Sequence, residues 1–262
     1  MKISAVIPAA GSGARMGNDI KKPYLKIGSK PILAHTLQVF EKSLLVDDIF
    51  VVISDEDRKL CEYEVINPYN FQKVAAVLPG GETRQASVFN GIKRTSDDTD
   101  IIIVHDGVRP FVTENIIEAS VESATQWGAA IVAVPVKDTI KVADKDNFVS
   151  STPGRNQLWA IQTPQVFRRE ILMKAHLYAQ EQNIDATDDA ALVEHLGYKV
   201  KLVTGSYRNI KITTPEDLMI AEAFSRVVYA INPSSNLASN QRSPNSKLRR
   251  TDIADPEDIS DI

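Results

Sequence analysis

A glycine-rich loop follows directly on the first apolar run of the chain. Residues 8–17 read Pro-Ala-Ala-Gly-Ser-Gly-Ala-Arg-Met-Gly, and they come straight after the β-branched run at residues 3–7. Small residues let backbone N–H groups approach an anion closely, and open α/β sheets bind ligands at the carboxyl ends of their strands. The sequence therefore predicts a phosphate-binding loop at this position.

Two well-known phosphate loops do not match this segment. The dinucleotide-binding fingerprint needs Gly or Ala at the position of Met16 and an acidic residue about 20 positions further on, and a Walker A loop needs a Gly-Lys-Ser/Thr ending. Neither is present, which leaves a small-residue loop with two cations, Arg15 and Lys22. Pro23 favours an extended Lys22, so both side chains could turn toward one anion. Taken alone, such a pair is more often a solvated basic loop.

Two later apolar runs also end in polar or glycine-rich segments. Gly80 and Gly81 offer close backbone approach to a planar base or a ribose, with a plain turn as the alternative. Asp106 and Arg109 follow the next run, where a carboxylate can hold Mg²⁺ and a guanidinium can grip phosphate; a mutual ion pair is the alternative. His105 has no hydroxyl or thiol nucleophile in an adjacent motif, so we expect it to serve packing.

Polar residues near the end of the chain divide into structural and functional candidates. Thr187 and Asp188 are positioned to cap a following helix. Lys211 stands between Ile210 and Ile212, and strand-like alternation sends its ammonium to the side opposite these apolar neighbours. This pattern predicts that Lys211 points into a site.

Short apolar runs alternate with amphipathic patterns along most of the chain. The runs are apolar on both faces, as strands of a parallel sheet covered by helices must be. The strand-like runs are 3–7, 49–53, 74–78, 101–104, 129–134 and 200–203. The helical patterns are 31–41, 85–94, 113–126, 168–182 and 215–228. This alternation predicts a three-layer α/β fold with a mostly parallel sheet.

Residues 136–162 interrupt this rhythm. Two turn signals separate strand-like segments at 139–142 and 158–161, which predicts an arm that leaves the sheet; an ordinary surface hairpin and a subunit-contacting arm fit equally well. From residue 231 to 262 the composition turns to Pro, Ser, Asn and Gln, and we expect this tail to be disordered. Residues 1–230 are then the folded domain.

Composition and charge exclude several classes of protein. The 262 residues are 43% hydrophobic and 24% charged, which is typical of a soluble globular protein. One cysteine and four scattered histidines exclude a disulfide framework and a zinc module. The formal net charge of −4 does not favour binding to nucleic acid or to an anionic membrane. No uncharged stretch reaches the roughly 18 residues of a membrane span, and no signal peptide is evident, so we expect a cytoplasmic protein.

Taken together, these motifs resemble the cytidylyltransferases that couple CTP to methylerythritol 4-phosphate in non-mevalonate isoprenoid synthesis. The resemblance extends from about residue 3 to residue 223. It rests, in chain order, on Pro8–Met16, Lys22, Gly80–Gly81 with Arg84 and Ser87, Val104–Asp106 with Arg109–Pro110, Pro135–Lys141, Leu158–Gln165, Thr187–Asp189 and Asn209–Thr213. The fold that it implies is a Rossmann-like nucleotidyltransferase sheet with a protruding β-arm.

The resemblance also implies partners and roles. It implies transfer of CMP from CTP to the alditol phosphate, with Mg²⁺ near Asp106, in a homodimer whose arms bring Thr139 and Arg155 to the neighbouring site. The implied catalytic residues are Arg15, Lys22, Arg155 and Lys211. The implied cytidine contacts are Ala9, Ala10, Gly81, Glu82 and Ser87, with Gly11, Gly13 and Arg84 as further substrate-binding residues. The implied alditol-phosphate contacts are Asp106, Arg109, Thr139, Arg155, Thr163, Thr187 and Lys211.

This assignment is chemically coherent. A phosphate monoester is already an anionic nucleophile, so attack on the α-phosphorus of CTP needs positive charge rather than a general base. A sister enzyme acting on ribitol 5-phosphate is the nearest alternative, because its family shares the loop, the Gln-Thr-Pro-Gln segment and the late lysine. A non-catalytic nucleotide-binding protein is a second alternative, and an NAD-dependent oxidoreductase is disfavoured by Met16.

Overall fold

A computed structural model describes residues 1–11 and 21–231 of the chain. In these residues a seven-stranded sheet forms the centre of the fold. The strands in chain order are β1 (Ile3–Pro8), β2 (Lys26–Ile27), β3 (Lys30–Pro31), β4 (Asp48–Ile53), β5 (Val74–Pro79), β6 (Ile101–Val104), β7 (Ala129–Pro135), β8 (Val142–Ala143), β9 (Val149–Ser151), β10 (Trp159–Arg168) and β11 (Lys201–Thr204). β2 pairs with β3 and β8 with β9, while the other strands form the sheet in the order β11-β7-β10-β6-β1-β4-β5.

The sheet is mostly parallel, as the apolar runs predict. β1 pairs in parallel with β4 and β6, β4 with β5, and β7 with β11. Within this sheet β10 runs antiparallel to both of its neighbours, β6 and β7. β6 is buried along its whole length, which is expected of a central strand with helices on both faces.

Helices cover both faces of the sheet and complete the three predicted layers. Their bounds are α1 (Ile32–Lys42), α2 (Arg58–Cys61), α3 (Asn67–Tyr69), α4 (Arg84–Ile92), α5 (Glu114–Trp127), α6 (Arg169–Gln182), α7 (Asp189–His195) and α8 (Pro215–Ile231). Apolar side chains of α1 and α5 join the core on one face. Those of α4, α6 and α7 join the core on the other face. The predicted three-layer α/β fold is therefore confirmed.

The predicted arm is wrong in its boundaries. Residues 158–161 were expected to form an arm strand, but Trp159–Arg168 is a ten-residue strand of the central sheet. Pro164 in its middle and two glutamines beside it hide the strand pattern, since proline and amides weaken that signal. Of the expected strand at 139–142, only Val142 belongs to a strand, where β8 pairs with β9. The segment outside the sheet is thus 136–158.

Several helical turns were not predicted. The chain between β4 and β5 contains α2, α3 and intervening 3-10 and π turns. These pieces are too short for a clear helical period. In contrast, α7 is the helix that Thr187 and Asp188 were expected to cap, and Asp188 Oδ1 accepts the N–H of Ala191 at its start. The helix predicted from Pro215 is present, and Asp217 Oδ2 accepts the backbone N–H groups of Thr213 and Thr214 at its start.

The chain separates into two units, Met1–Ser225 and Arg226–Ile262. The sheet lies in the first unit, and the structure describes the second only as far as residue 231. The tail predicted to be disordered lies outside the described residues, apart from residue 231. Across 1–11 and 21–231, no helix combines the length and the apolar character needed to cross a bilayer.

Candidate active site

A cleft of about 480 Å³ opens where β1, β5 and β6 end. This is the edge at which open α/β sheets bind ligands. Of the residues expected in the site, the structure brings ten together in its walls: Ala9, Ala10, Gly11, Lys22, Gly81, Glu82, Arg84, Ser87, Asp106 and Lys211. Pro8, Pro23, Thr83, Val108 and Thr213 also line it. Gly13 and Arg15 lie outside the described residues.

The glycine pair after β5 serves close packing within the cleft wall. The N–H of Gly80 donates to the carbonyl of Ile53 at 2.7 Å, which joins this loop to the end of β4. A Cβ at Gly80 would lie 2.5 Å from the Cβ of Ala10, closer than any side chain tolerates. Only glycine therefore lets the loops after β1 and β5 approach each other in this way.

The segment after the glycine pair is fixed by hydroxyl groups. Thr83 caps α4, because its Oγ1 accepts the N–H of Ala86 at 3.0 Å. The Oγ of Ser87 accepts the N–H of Gly81 at 3.0 Å and donates to the carbonyl of Thr83 at 2.9 Å. The start of α4 thus faces the cleft in a fixed position, and its positive end favours an anion there.

Asp106 is buried after β6, and its carboxylate is surrounded by cations. Its Oδ1 lies 3.3 Å from Nε of Arg84, and its Oδ2 lies 3.3 Å from Nε of Arg109 and 3.0 Å from Nζ of Lys211. Burial opposes ionisation, but the charges of Arg84, Lys211 and Arg109 outweigh it and hold the pKa of Asp106 well below its usual range. The expected ion pair between Asp106 and Arg109 is therefore present, within a larger cluster.

Thr163 and His105 support Asp106 from within the protein. The N–H of Asp106 donates to Thr163 Oγ1 at 3.0 Å, and this hydroxyl lies 3.1 Å from Nδ1 of His105. The other ring nitrogen, Nε2, donates to the carbonyl of Arg109 at 3.1 Å, so Nδ1 accepts from Thr163. Burial lowers the pKa of His105 to about 4, and the neutral ring has the packing role that the sequence predicts.

Lys211 and Lys22 place ammonium groups at the cleft. Ile210 and Ile212 pack in a core cluster with Val108, and Lys211 points away from them toward Asp106, as the alternation predicts. Lys22 begins a 3-10 turn, Lys22–Tyr24. The preceding Lys21 is anchored by ion pairs with Glu56 and Asp57, which fix this turn beside the end of β4.

Five of the expected site residues do not line this cleft. Arg109 lies behind Asp106 and donates to the carbonyl of Asn209 at 2.8 Å, and Thr163 is buried beneath it. Thr139 and Thr187 are exposed elsewhere on the surface. Arg155 is exposed on the arm segment, where its guanidinium donates to the carbonyl of Lys137 at 2.8 Å. A contribution of Thr139 and Arg155 to the cleft of a second subunit stays a prediction.

Sequence reasoning missed Thr83, Val108 and Thr213 in the cleft wall, and Asp189 behind it. Thr83 carries a readable signal, since a threonine before a helical pattern is typical of an N-cap. Asp189 binds Arg84 with an Oδ2 to NH1 distance of 2.8 Å. That contact joins distant parts of the chain, so no local pattern indicates it.

The described residues fit Mg²⁺ only together with bound phosphates. Mg²⁺ commonly takes one or two carboxylates and completes its shell with phosphate oxygens and water. Asp106 and Glu82 are the acidic side chains among the described residues that line the cleft. In the part of the chain that the structure describes, no group of three or more His, Cys, Asp or Glu side chains could hold a metal ion.

The geometry of the cleft suits two phosphorylated reactants. Cations outnumber the carboxylates that they contact, with Arg84, Arg109 and Lys211 set against Asp106 and Asp189. Fixed positive charge of this kind stabilises anions without reorganising during a reaction. His105 is unsuited to act as a general base on a bound substrate, because it is buried, its Nδ1 already accepts from Thr163, and a pKa of about 4 makes the ring a weak base.

Comparison with known proteins agrees with this geometry. A family model described as 2-C-methyl-D-erythritol 4-phosphate cytidylyltransferase matches residues 3–226. A protein of that name from Caldanaerobacter subterraneus subsp. tengcongensis is 50% identical over 226 residues, covering 86% of this chain and all of the relative. Another from Geobacter metallireducens is 50% identical over 227 residues, covering 86% of this chain and 97% of the relative.

Solved structures show the same similarity. The crystal structure of 4-diphosphocytidyl-2C-methyl-D-erythritol synthase from Anaerococcus prevotii has a TM-score of 0.77 and 34% identity, covering 86% of this chain and 96% of that one. The 2-C-methyl-D-erythritol 4-phosphate cytidylyltransferase from Thermus thermophilus has a TM-score of 0.71 and 34% identity, covering 86% of this chain and 100% of that one. The resemblance noted in the sequence is confirmed, and the chain belongs to the 2-C-methyl-D-erythritol 4-phosphate cytidylyltransferase family.

Proposed function

We propose that this enzyme transfers CMP from CTP to 2-C-methyl-D-erythritol 4-phosphate in the cleft at the ends of β1, β5 and β6. Family membership supports the reaction, and the positive charge around the cleft supports its location. An oxygen of the substrate phosphate attacks the α-phosphorus of CTP and forms a new P–O bond. The bond to the β-phosphate oxygen breaks, and the products are 4-diphosphocytidyl-2-C-methyl-D-erythritol and pyrophosphate.

The cytidine side of the cleft is made of small residues and backbone. Ala9, Ala10 and Gly11 leave room for a nucleotide at the end of β1, and Gly81 with Ser87 forms the facing wall. The hydrogen bonds of Ser87 hold that wall before any ligand arrives. A wall fixed in advance supports binding because less conformational freedom is lost on association.

The observation that carries the proposal is the placement of Lys22, Lys211 and Arg84 around one cleft beside an ionised Asp106. Two highly negative reactants repel each other, and pyrophosphate gains charge as it leaves. Fixed cations offset both effects, and removal of one preorganised group of this kind typically slows a reaction by about 100-fold or more. Arg15 is proposed for the triphosphate on the family resemblance alone.

Mg²⁺ is proposed to enter with the triphosphate and to take Asp106 as its protein ligand. When bound there, the ion would neutralise charge on the phosphates of CTP. The fixed residues of this chain would bind and orient the reactants around it.

The alditol phosphate is proposed to lie on the Asp106 and Lys211 side, in a site completed by a second subunit. The arm segment 136–158 supports this proposal, because it exposes apolar side chains that a partner surface could cover: Ile140, Val142, Phe148 and Val149. Thr139 and Arg155 of the partner subunit would then reach the substrate phosphate. A dimer would thus supply charge that the single chain does not place in its own cleft.

Pyrophosphate release tests the reaction. The full chain with Mg²⁺ should release pyrophosphate from CTP and 2-C-methyl-D-erythritol 4-phosphate, and much less from UTP or ATP. Ribitol 5-phosphate in parallel separates the nearest alternative activity. Binding of CTP without turnover on either alditol would contradict the proposal and favour a non-catalytic nucleotide-binding protein.

Sedimentation tests the dimer. We expect the wild type to sediment as a dimer, and Phe148→Asp with Val149→Asp to shift it to monomer and to reduce turnover. The matched control is Leu44→Asp, which adds charge at an exposed apolar residue outside the arm. A fully active monomer would refute the role of the arm.

A further inference from the structure

A buried carboxylate lies behind the cleft wall, and its residue is not among those assigned to substrate. Asp189, in the first turn of α7, is 1% exposed. Its Oδ2 accepts from NH1 of Arg84 at 2.8 Å, and its Oδ1 accepts from Nε2 of His176 at 3.1 Å. Burial opposes ionisation, but Arg84 and the hydrogen bond from His176 outweigh it, and the pKa of Asp189 is lowered.

His176 is held as firmly as Asp189. The imidazole projects from α6, is 2% exposed, and stacks on Phe89 with ring centroids 5.4 Å apart and an interplanar angle of 2°. Phe89 belongs to α4, the same helix that carries Arg84. The ring is therefore fixed in plane against α4 while its Nε2 reaches Asp189 on α7.

The start of α7 is also tied to the central sheet. The N–H groups of Asp189 and Ala190 donate to Oε1 of Gln165 at 3.1 and 3.2 Å. Gln165 lies in β10 opposite Val104 of β6, the strand that leads into Asp106. Both carboxylates that contact Arg84 are thus positioned by the same pair of strands, β6 and β10.

We infer that Asp189 and His176 are positioning residues of the transfer reaction, which act by holding the guanidinium of Arg84 against Asp106. The inference rests on the proposed function. Arg84 uses NH1 for Asp189 and Nε for Asp106, so the planar group spans two carboxylates in a fixed orientation. Without Asp189 the guanidinium keeps one anchor and is free to rotate about its contact with Asp106 or to swing into the cleft. Asp106 would then lose its fixed relation to Lys211.

The test compares turnover with stability in conservative variants. Asp189→Asn keeps the shape of the side chain but removes its charge, and we expect kcat to fall about 10-fold or more. His176→Phe keeps the stack on Phe89 and loses the donor, and His176→Gln restores an N–H donor. We expect kcat to fall about 5-fold in His176→Phe and to recover in His176→Gln. The melting temperatures of these two variants should be close to each other. The matched controls are Asp185→Asn and His195→Gln, both at exposed positions flanking or ending α7.

A double-mutant cycle with Arg84→Ala separates positioning from a purely structural role. If Asp189 acts through Arg84, then Asp189→Asn should cause little further loss of kcat once Arg84 is alanine. Additive losses, or wild-type kcat in Asp189→Asn and in His176→Phe, would overturn the inference. If the Asp189 variant does not fold, the His176 pair decides by the same cycle. No turnover by the wild type would instead reject the proposed function, and the inference with it.

Discussion

Lys211 Nζ lies 3.0 Å from Asp106 Oδ2, the oxygen that also faces Arg109. Lys211 comes from a segment near the end of the chain, and Asp106 follows a central strand. The carboxylate aims this ammonium at the cleft, and the charge of Asp106 is already balanced by other cations. In the proposed reaction Asp106 therefore orders positive groups, which are these side chains and, once CTP binds, the proposed Mg²⁺.

Removal of the Lys211 ammonium should slow the chemical step. We expect Lys211→Ala to lower kcat by about 100-fold, since it removes a preorganised positive group. Lys22→Ala should have an effect of similar size. The matched control is Lys201→Ala, an exposed lysine on β11 that lies over the ring of Trp127. Steady-state pyrophosphate release measures all three, and full turnover in both cleft variants would undo the assigned roles.

Neutralising Asp106 should cost both stability and turnover. Asp106→Asn leaves Arg84, Arg109 and Lys211 around an uncharged amide, and loss of one partner from a buried ion cluster typically destabilises by about 3–5 kcal/mol. We therefore expect a clear fall in the free energy of unfolding, measured by denaturant titration, and a kcat reduced by about 100-fold. Asp97→Asn breaks an exposed pair with Arg169 and should change stability by no more than about 1 kcal/mol. Equal effects of the two variants would contradict the cluster's role.

The close packing of Gly80 on Ala10 predicts a sharp steric effect. Gly80→Ala places a methyl group 2.5 Å from the Cβ of Ala10, so the loops after β1 and β5 must separate. We expect kcat/KM for CTP to fall about 10-fold or more, because small displacements of binding groups are costly. The double variant Gly80→Ala with Ala10→Gly removes the clash with Ala10, leaves a tighter but tolerable 3.1 Å approach to Ser87 Oγ, and should recover much of the loss. Failure of that rescue would show that the contact does not shape the nucleotide site.

Burial of His105 predicts a stability change on the acid side. Its pKa is lowered from 6.5 to about 4, so the unfolded chain takes up a proton first as the pH falls. Above about pH 6.5 the ring is neutral in both states and its titration has no effect on stability. As the pH is lowered toward 4, the free energy of unfolding falls by about 3 kcal/mol in all. His105→Gln should flatten the slope of unfolding free energy against pH in that window. An unchanged slope would mean that the ring does not stay neutral in the fold.

The sequence predicts the layers of this fold well and the inner parts of the site less well. The apolar runs that became β1 and β6, and the alternation around Lys211, are local patterns with a clear period. β10 was not predicted as a strand of the sheet because Pro164 interrupts its pattern. The roles of Asp189 and His176 were not predicted because they depend on contacts between three helices, and side-chain pairing across a fold leaves no local period.

The expected site residues show the same contrast between local sequence patterns and contacts that only the fold creates. Gly81 was indicated by the glycine pair that follows an apolar run, whereas Glu82 and Ser87 were expected from the family resemblance alone. Thr163 was expected at the substrate, whereas its hydroxyl is engaged by Asp106 and His105. Sequence alone names a polar residue near a site but does not say which of its neighbours it contacts.

The stereochemical course at phosphorus tests the central claim most directly. The claim is that the alditol phosphate attacks CTP directly among fixed cations, with no nucleotide bound covalently to the protein. A chirally labelled CTP carrying sulfur at the α-phosphorus can be converted with 2-C-methyl-D-erythritol 4-phosphate and the product configuration determined. The account predicts inversion, as expected of a single in-line displacement. Retention would contradict it, because two displacements would require a covalent intermediate on the enzyme.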